Sequence, residues 1–324
     1  RKLPPKCKYP GSFTIPCVIG NTRFKSAMLD LGASINVMPY SVYASMNLGA
    51  LKHDGVIIQL ADRSNAYPKG VIQTVLTRHL KKTVMRANGV SYVTQFALQK
   101  QYPCYARAHG ADSHHFESYY STIVLRKDYF APARDYHKHS GPYRIIHVAN
   151  NMNNDIKGHD ILIKAVAKLR SCGEEVEVCF VGDGTKRREF EQLAKDLGIQ
   201  DYVEFTGLLS SAAKVREKLL QSDLFVFPTK AEGLPRVIIE AMAIGLPCIS
   251  TPVNGIPELL EPEYMLDPLD VDGFTNKIIE LIHNPEKMTR ASVRNVDKAN
   301  EYEETILQMR RNEFYGQLKA IALN

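Results

Sequence analysis

From about residue 143 onward, short apolar runs alternate with longer segments of helical periodicity. YRIIHVAN is followed by GHDILIKAVAKLRS, VEVCFVGDG is followed by KRREFEQLAKDLG, and the alternation continues to GFTNKIIELIHN. Strands that are separated by helices need crossover connections, so they pair in parallel, and the helices then cover both faces of the sheet. The sequence therefore predicts an α/β fold built on a parallel sheet with helices on both faces.

The residues before this region have a different texture. Between residues 10 and 75, short apolar runs such as SFTIPCVIG and GVIIQLAD are broken by Gly, Pro, Asn and Asp, a pattern that is typical of strands and turns. We predict a small all-β region there. Residues 76–142 predict a helix around 79–100 and then an irregular segment rich in Tyr and His, and residues 285–322 predict terminal helices.

Charge also divides the chain. Residues 1–116 hold 15 basic and 4 acidic side chains, whereas residues 117–324 hold 26 basic and 31 acidic ones. The basic residues of the first part are scattered, so we do not expect a nucleic-acid partner. The predicted domain boundaries define the segments 1–75, 76–140, 141–290 and 291–324.

The cysteines and the apolar runs exclude several protein classes. The six cysteines form no CxxC pair, which indicates reduced thiols of an intracellular chain and not a disulfide framework. Cys104 with His109, His114 and His115 matches no zinc spacing, so we expect no metal. No apolar run approaches the ~20 residues of a membrane span, and we expect a cytoplasmic protein.

The Gly-rich and charged segments follow the predicted strands. In a parallel sheet, ligands bind beyond the carboxyl ends of the strands, where loops and helix N-termini gather. Helix N-termini carry free N–H groups and a partial positive charge, so several of them around one crevice suit a diphosphate. The candidate residues for this crevice are Lys157, Gly158, Gly182, Asp183, Gly184, Gly233 and Leu234.

Two glutamates accompany the third of these loops. Glu232 lies in the loop, where it would accept hydrogen bonds from hydroxyl groups near the phosphates, and Glu240 lies on the helix that follows, where it would bind the two hydroxyls of a ribose. A pair at this spacing alone is most often a solvated helix face. The apolar residues around Glu240 make it a charge that needs a partner, which favours a function: Val237, Ile238, Ile239, Ala241 and Met242.

These residues carry a family resemblance. The segment KAEGLPRVIIEAMAIGLPCISTPVNGIPEL resembles the donor-binding half of retaining glycosyltransferases with the GT-B fold, in the group that has a Glu-x7-Glu motif. The ordered match includes Lys157-Gly158, the segments 181–184 and 205–207, and the stretch from Thr251 to Glu258, and it covers about residues 141–290. Such enzymes transfer a sugar from a nucleotide donor with retention and without a bound metal or other cofactor.

The resemblance also implies roles for individual residues. Lys157 would bind the donor diphosphate, Glu232 and the backbone at Gly233 and Leu234 would contact the sugar and phosphates, and Glu240 would bind the ribose. The leaving phosphate would help to deprotonate an acceptor, which the sequence does not identify. The residues of the loops that would flank the base are Gly182, Asp183, Gly184 and Leu208.

The sequence departs from this family in two respects. The family usually has an Arg six or seven residues before the lysine, but this chain has Asn150 and Asn151, so one charge-assisted contact is lost unless another cation replaces it. A GT-B enzyme also needs a second Rossmann-like domain before residue 141. Here only residues 86–103 resemble the end of that domain, and helices after about residue 290 resemble those that cross back onto it.

In place of the missing domain, the chain begins with a segment that resembles another family. MLDLGASINVMP holds Asp30 on a predicted turn with small neighbours, and residues 3–72 resemble the retropepsin domain of plant gypsy-type retrotransposon polyproteins. The resemblance implies that Asp30 is a catalytic carboxylate and that 61–70 lies near the flap. A subunit with one aspartate needs a homodimer, because two carboxylates must share a proton. After Ile72 the rest of such a subunit is missing, so we expect no working peptidase.

The sequence leaves three interpretations open. The chain is a glycosyltransferase, active or not; it is a nucleotide-sugar-binding module without turnover; or its aspartic peptidase segment is the functional part. Our hypothesis for its origin is a chimera of a truncated retropepsin and the donor half of a sugar transferase.

Overall fold

The computed structural model describes residues 12–19, 22–30, 58–59, 65–66 and 73–323. The chain divides into two units, residues 1–82 and residues 83–324. The domain boundaries inferred from sequence stay predictions.

In the first unit, β1 (Ser12–Ile19) and β2 (Thr22–Asp30) form an antiparallel hairpin. The short strands β3 (Ile58–Gln59) and β4 (Asn65–Ala66) also pair antiparallel. Asp30 is the last residue of β2, opposite Ser12. The turn that follows Asp30, its side chain and most of the predicted flap lie outside the described residues, so the retropepsin resemblance stays a prediction.

The helix predicted around 79–100 is wrong in its extent. Helix α1 covers Gln73–Arg86 and ends before Gly89, where strand β5 (Gly89–Tyr92) begins. A side chain at residue 89 would bring its Cβ to 2.7 Å from the Phe116 ring, so glycine permits the close strand packing that replaces the helix. Two short helices follow, α2 (Ala97–Gln101) and α3 (Tyr105–His109).

Strand β6 (Phe116–Tyr119) pairs in parallel with β5. The sequence predicted a helix over β5 and an irregular segment over β6, and both predictions are wrong because strands of four residues are too short to give a clear alternation. A small parallel sheet therefore precedes the main one within the second unit.

The main sheet confirms the predicted α/β fold. Its five strands are parallel and lie in the order β11-β10-β7-β8-β9. The strands are β7 (Tyr143–Asn151), β8 (Val176–Asp183), β9 (Val203–Gly207), β10 (Leu224–Val226) and β11 (Cys248–Ile249). The helices between and after them are α4 (His159–Ser171), α5 (Arg187–Asp196), α6 (Ala212–Leu220), α7 (Arg236–Ala243) and α8 (Val271–Ile282).

Both faces of this sheet are buried. Ile145 and Ile146 are consecutive on β7 and both fully buried, yet they belong to two different apolar clusters. Successive side chains of a strand point to opposite faces, so each isoleucine packs under a different helical layer. Burial of each such side chain contributes about 1.5–3 kcal/mol. This explains why the strand sequences are continuously apolar instead of alternating.

The terminal helices are α9 (Pro285–Asn300) and α10 (Glu304–Leu323), as the sequence predicted. Helix α9 packs on α7, and α10 contacts the β5–β6 sheet, where the rings of Phe314 and Phe116 lie 5.3 Å apart. Among the helices of the described residues, none combines the length and the apolar character that crossing a membrane requires.

Candidate functional site

The loops after β7 and β8 are packed against each other at the carboxyl end of the sheet. Gly182 has a φ of +139°, and a Cβ there would lie 1.8 Å from the Ala149 carbonyl oxygen. The Met152 N–H donates to the Asp183 carbonyl at 2.9 Å. A Cβ at Gly184 would lie 2.5 Å from the Met152 carbonyl carbon. The two predicted glycines are thus required by close backbone approach, and they leave the crevice floor free of side chains.

The predicted base-flanking residues lie at the ends of β8 and β9. The Asp183 carboxylate accepts the Gly184 N–H at 2.8 Å, and its second oxygen lies 3.5 Å from the Arg187 guanidinium. Leu208 follows Gly207 and is 64% exposed. An exposed apolar side chain beside a polar turn leaves a surface on which a planar ring can pack.

Lys157 and Gly158 lie in a tight turn after β7. Gly158 has a φ of +73°, and a Cβ there would lie 2.0 Å from the Pro228 carbonyl oxygen, so only glycine fits. The His147 Nε2–H donates to the Lys157 carbonyl at 2.8 Å. Because a carbonyl only accepts, Nε2 must carry the proton of this imidazole. The turn is thus fixed from the strand below and from the end of β10.

The structure brings Lys157 and Glu232 together. The Lys157 ammonium forms an ion pair with the Glu232 carboxylate and also lies 3.4 Å from the Ala231 carbonyl oxygen. The two side chains are 26% and 19% exposed, so the pair faces the crevice from a half-buried position. A cation and a carboxylate at one edge of the sheet can bind a ligand that carries both phosphate and hydroxyl groups.

The Glu232 loop is held by residues that the sequence analysis did not single out. The Asn254 side-chain amide donates to the Glu232 carbonyl, and the Gly255 N–H donates to the Gly233 carbonyl at 2.8 Å. Asn254 has a φ of +45°, which asparagine tolerates better than most residues. A Cβ at Gly233 would meet nothing within 4 Å, so this glycine opens space in front of the loop. Leu234, the next residue, is buried.

Glu240 lies on α7 as a half-buried carboxylate. Burial raises its pKa, and the nearby Arg236 guanidinium opposes that rise. Among the residues that the structure describes, its side chain has no hydrogen-bond or ion-pair partner. The apolar neighbours predicted from sequence are present, because Ile238, Ile239 and Ala241 are fully buried. The carboxylate is therefore available to hydroxyl donors of a ligand.

The missing arginine has one candidate replacement. Asn151 accepts the Asn153 N–H at 2.8 Å through its side chain, so it shapes the turn after β7. Lys230 is half-buried, and its backbone N–H donates to the Ile156 carbonyl at 2.7 Å, beside Lys157. No hydrogen bond or ion pair of its ammonium occurs within the described part of the chain. Lys230 therefore offers a second positive charge near the predicted diphosphate site.

A buried histidine pair lies beneath the site and was missed by the sequence analysis. The rings of His147 and His159 are 4.4 Å apart, and both residues are fully buried. Burial, with a smaller contribution from the charge of Lys157, lowers the pKa of His147 to about 4 and that of His159 to about 2. Both imidazoles are therefore neutral near pH 7. The signal in the sequence was a histidine within the apolar strand IIHVAN.

The cysteine and histidines that the sequence placed in no metal site are engaged elsewhere. The Cys104 thiol donates to Glu117 at 3.3 Å, and the His109 ring stacks on Tyr105 at 4.5 Å. His115 contacts the Asp112 carboxylate at 3.1 Å. The residues that the structure describes contain no group of three or more His, Cys, Asp or Glu side chains that could hold a metal.

Comparison with protein families identifies the segment that carries this crevice. Residues 142–284 match the family described as glycosyl transferases group 1. We call residues 142–284 the group 1 segment. The group 1 segment contains every crevice residue described above.

Relatives and solved structures resemble the chain beyond this segment. Protein CapJ of Staphylococcus aureus is 26% identical over 210 residues, which are 64% of this chain and 50% of that protein. N-acetyl-alpha-D-glucosaminyl L-malate synthase of Bacillus anthracis is 30% identical over 167 residues, 51% of this chain and 42% of that protein. The chain thus spans half or less of the length of these relatives.

The group 1 segment and the residues next to it in the chain have the fold of GT-B glycosyltransferases. The Anabaena protein HepE, in a structure with UDP and glucose, superposes on this chain with a TM-score of 0.61 at 21% identity. The superposition covers 76% of this chain and 68% of the HepE chain. At this identity the likeness establishes the fold alone.

Proposed function

We propose that the chain binds a nucleotide-sugar donor in the crevice of the group 1 segment and transfers the sugar with retention of configuration. The observation that carries the proposal is the Lys157–Glu232 pair at the carboxyl edge of a parallel sheet. Ligands of such sheets bind at this edge. The UDP and glucose of HepE and the N-acetylglucosaminyl group in the name of the B. anthracis relative support a nucleotide-sugar donor.

In this proposal the donor replaces the Lys157–Glu232 contact. The diphosphate takes the Lys157 ammonium, with Lys230 as the second cation, and the sugar hydroxyls donate to Glu232. The Gly233 and Leu234 backbone lies along the sugar and phosphates. Charge-assisted hydrogen bonds of this kind contribute about 1.5–3 kcal/mol each.

The nucleoside end of the donor lies deeper in the crevice. Glu240 accepts hydrogen bonds from the two ribose hydroxyls, which relieves an otherwise unpaired half-buried charge. The base lies between the Gly182–Gly184 turn and Leu208, whose exposed side chain packs on the ring face.

The transfer step moves one sugar between two oxygens. The bond from the anomeric carbon to the leaving phosphate oxygen breaks, and the electron pair stays on the nucleoside diphosphate. The acceptor hydroxyl oxygen forms the new bond on the same face of the sugar, and its proton passes to the leaving phosphate. Lys157 stabilises the charge that develops on that phosphate.

Donor binding without turnover is the second candidate. All residues assigned above contact the donor, and none is assigned to an acceptor. A cytoplasmic location, the chimeric origin and the Asp30 peptidase with its homodimer stay predictions.

A turnover assay separates the two candidates. The purified chain is incubated with UDP-glucose or UDP-N-acetylglucosamine and with L-malate as the first acceptor probe, and proton NMR follows the anomeric signal. Formation of an α-linked product from an α-linked donor, lost in Lys157→Ala and kept in Lys195→Ala, supports the transferase. Binding of the donor with neither transfer nor hydrolysis supports the module. Retention is contradicted by a β-linked product.

A further inference from the structure

Glu258 contacts a part of the chain that lies far from it in sequence. Its carboxylate accepts three backbone N–H groups, those of Gln95 at 2.6 Å, Phe96 at 2.9 Å and Ala97 at 2.7 Å. The separation from Gln95 is 163 residues. Three hydrogen bonds to one ionised carboxylate are a strong, directional attachment. They fix the segment before α2 against the loop that follows β11.

The same loop also holds the Glu232 loop. Asn254 and Gly255 donate to the carbonyls of Glu232 and Gly233, as described above. A Cβ at Gly255 would lie 2.5 Å from the Gly233 carbonyl oxygen and 2.7 Å from the Thr94 side chain. Gly255 is therefore enclosed between the Glu232 loop and the segment that Glu258 holds. A displacement of the Glu232 loop or of the segment that Glu258 holds is therefore transmitted to the other through Gly255.

A cavity of about 610 Å³ opens beside this attachment. Its walls include Phe96 and Lys100 on one side and Asn254, Pro257 and Glu258 on the other. Asn254 thus belongs both to the cavity and to the support of Glu232. The hydrogen bonds of Glu258 join the two walls.

We propose that Glu258 is a positioning residue, which couples residues 95–97 to the Glu232 loop and thereby orients Glu232 toward the sugar of the donor. The inference rests on the proposed function for its ligand, but the mechanical coupling itself is independent of it. Within the described part of the chain, the Glu258 carboxylate hydrogen-bonds to residues 95–97 and to none of the candidate crevice residues. Its loss should therefore weaken the binding of the sugar part of the donor and spare the nucleoside diphosphate part.

The coupling is tested without ligand by amide hydrogen exchange in Glu258→Ala. Exchange should accelerate at residues 95–97 and also at Gly255, whose N–H is bonded to Gly233. Glu261→Ala removes an exposed carboxylate of the same loop and should change neither region. If exchange accelerates only at 95–97, the coupling is wrong, whatever the protein binds.

The functional part is tested by calorimetry with UDP and UDP-glucose. In Glu258→Ala the affinity for UDP-glucose should fall about 10-fold, near the value of one charge-assisted hydrogen bond, while the affinity for UDP changes by less than about 2-fold. Glu258→Gln keeps one acceptor oxygen but turns an amide toward N–H donors, so it should recover part of the loss. Equal loss for both ligands, or no loss for either, overturns the positioning role. Failure of the wild type to bind either ligand contradicts the proposed function, and the exchange experiment then decides the coupling alone.

A double variant gives an internal check. Asn254→Gly removes the side-chain hydrogen bond to Glu232, and glycine tolerates the φ of +45° at this position. If Glu258 acts through the hydrogen bond from Asn254 to Glu232, the effects of Glu258→Ala and Asn254→Gly on UDP-glucose affinity should be non-additive. Additive effects contradict a shared route.

Discussion

The Lys157 ammonium contacts the Glu232 carboxylate although 75 residues separate them in the chain. Each residue lies in a loop at the carboxyl edge of the sheet, one after β7 and the other after β10, and these strands are neighbours. The pairing of β7 with β10 therefore brings two residues that are distant in sequence into one ion pair. A donor that carries phosphate and hydroxyl groups would find both of its partners already adjacent.

Replacement of Lys157 should weaken donor binding strongly. Lys157→Ala removes the cation from the diphosphate site and leaves Glu232 unpaired, so the affinity for a nucleoside diphosphate should fall about 10- to 100-fold. Isothermal titration with UDP and GDP measures it. Lys195→Ala, an exposed lysine away from the crevice, should bind as the wild type does. An unchanged affinity in Lys157→Ala would remove Lys157 from the site.

Lys230 should also contribute to diphosphate binding. If it replaces the missing arginine, Lys230→Ala weakens diphosphate binding, whereas Lys230→Arg retains it because the charge remains. The matched measurement compares UDP with uridine, which has no phosphate. Equal affinity losses for both ligands would place the effect of Lys230 elsewhere than at the phosphates.

Glu240 should report on the ribose. Glu240→Gln keeps the shape of the side chain but weakens its hydrogen bonds to the two hydroxyls, so UDP should bind about 10-fold more weakly. In the wild type, 2′-deoxy-UDP should bind less tightly than UDP, and in Glu240→Gln this difference should shrink. A difference that stays constant in both proteins would show that Glu240 does not contact the 2′-hydroxyl.

The same substitution should stabilise the ligand-free protein. Burial raises the pKa of Glu240, so the ionised form is disfavoured in the folded state and its cost appears as the pH rises above the pKa of the unfolded chain. Glu240→Gln removes that cost. Urea unfolding at pH 8 should give a higher free energy for the variant, and at pH 4 the gain should diminish. Loss of stability at pH 8 would contradict an unpaired carboxylate.

The turns of the candidate crevice could be predicted from sequence because their signals are local. Strand and helix periodicity, together with glycines at 158, 182 and 184, depends on neighbouring residues, and each of these glycines is enclosed by backbone in the structure. The helix predicted around 79–100 failed because Gly89 and the strand after it pair with residues that lie further along the chain. The supporting contacts of Asn254 and Glu258 could not be predicted for the same reason, since their partners are 22 and 163 residues away.

The buried histidines should make the protein acid-labile. The folded pKa values of His147 and His159 are about 4 and about 2, below the 6.5 of a free histidine. Their contribution is therefore complete above pH 6.5 and is lost as the pH falls, down to about 4 for His147 and about 2 for His159, by up to about 1.4 kcal/mol per pH unit for each proton taken up.

The test compares His159→Phe with the wild type by urea unfolding between pH 7 and pH 4. His159 already packs against Phe180 and Phe190, so phenylalanine suits the site. The variant should lose stability less steeply as the pH falls. Parallel pH profiles would mean that His159 takes up no proton on unfolding.

Two glycines with left-handed backbone should respond differently to alanine. Gly182→Ala adds a methyl group that meets the Ala149 carbonyl, whereas Gly173 has a φ of +85° and open space around its Cβ. Gly173→Ala should cost about 1–2 kcal/mol of backbone strain alone, and Gly182→Ala should cost more and also abolish nucleotide binding. Thermal unfolding of both variants compares them. Equal costs would contradict the close approach of the two loops.

The crevice of the group 1 segment should bind a nucleotide sugar. A thermal-shift titration of the purified chain with a panel of UDP- and GDP-sugars, beside Lys157→Ala and Glu240→Gln, tests it most directly. A ligand at 100 times its dissociation constant stabilises the folded state by about 2.7 kcal/mol, which is readily measured. We expect a shift for one donor that both substitutions diminish. The absence of a shift with any donor, or a shift that both variants retain in full, would contradict it.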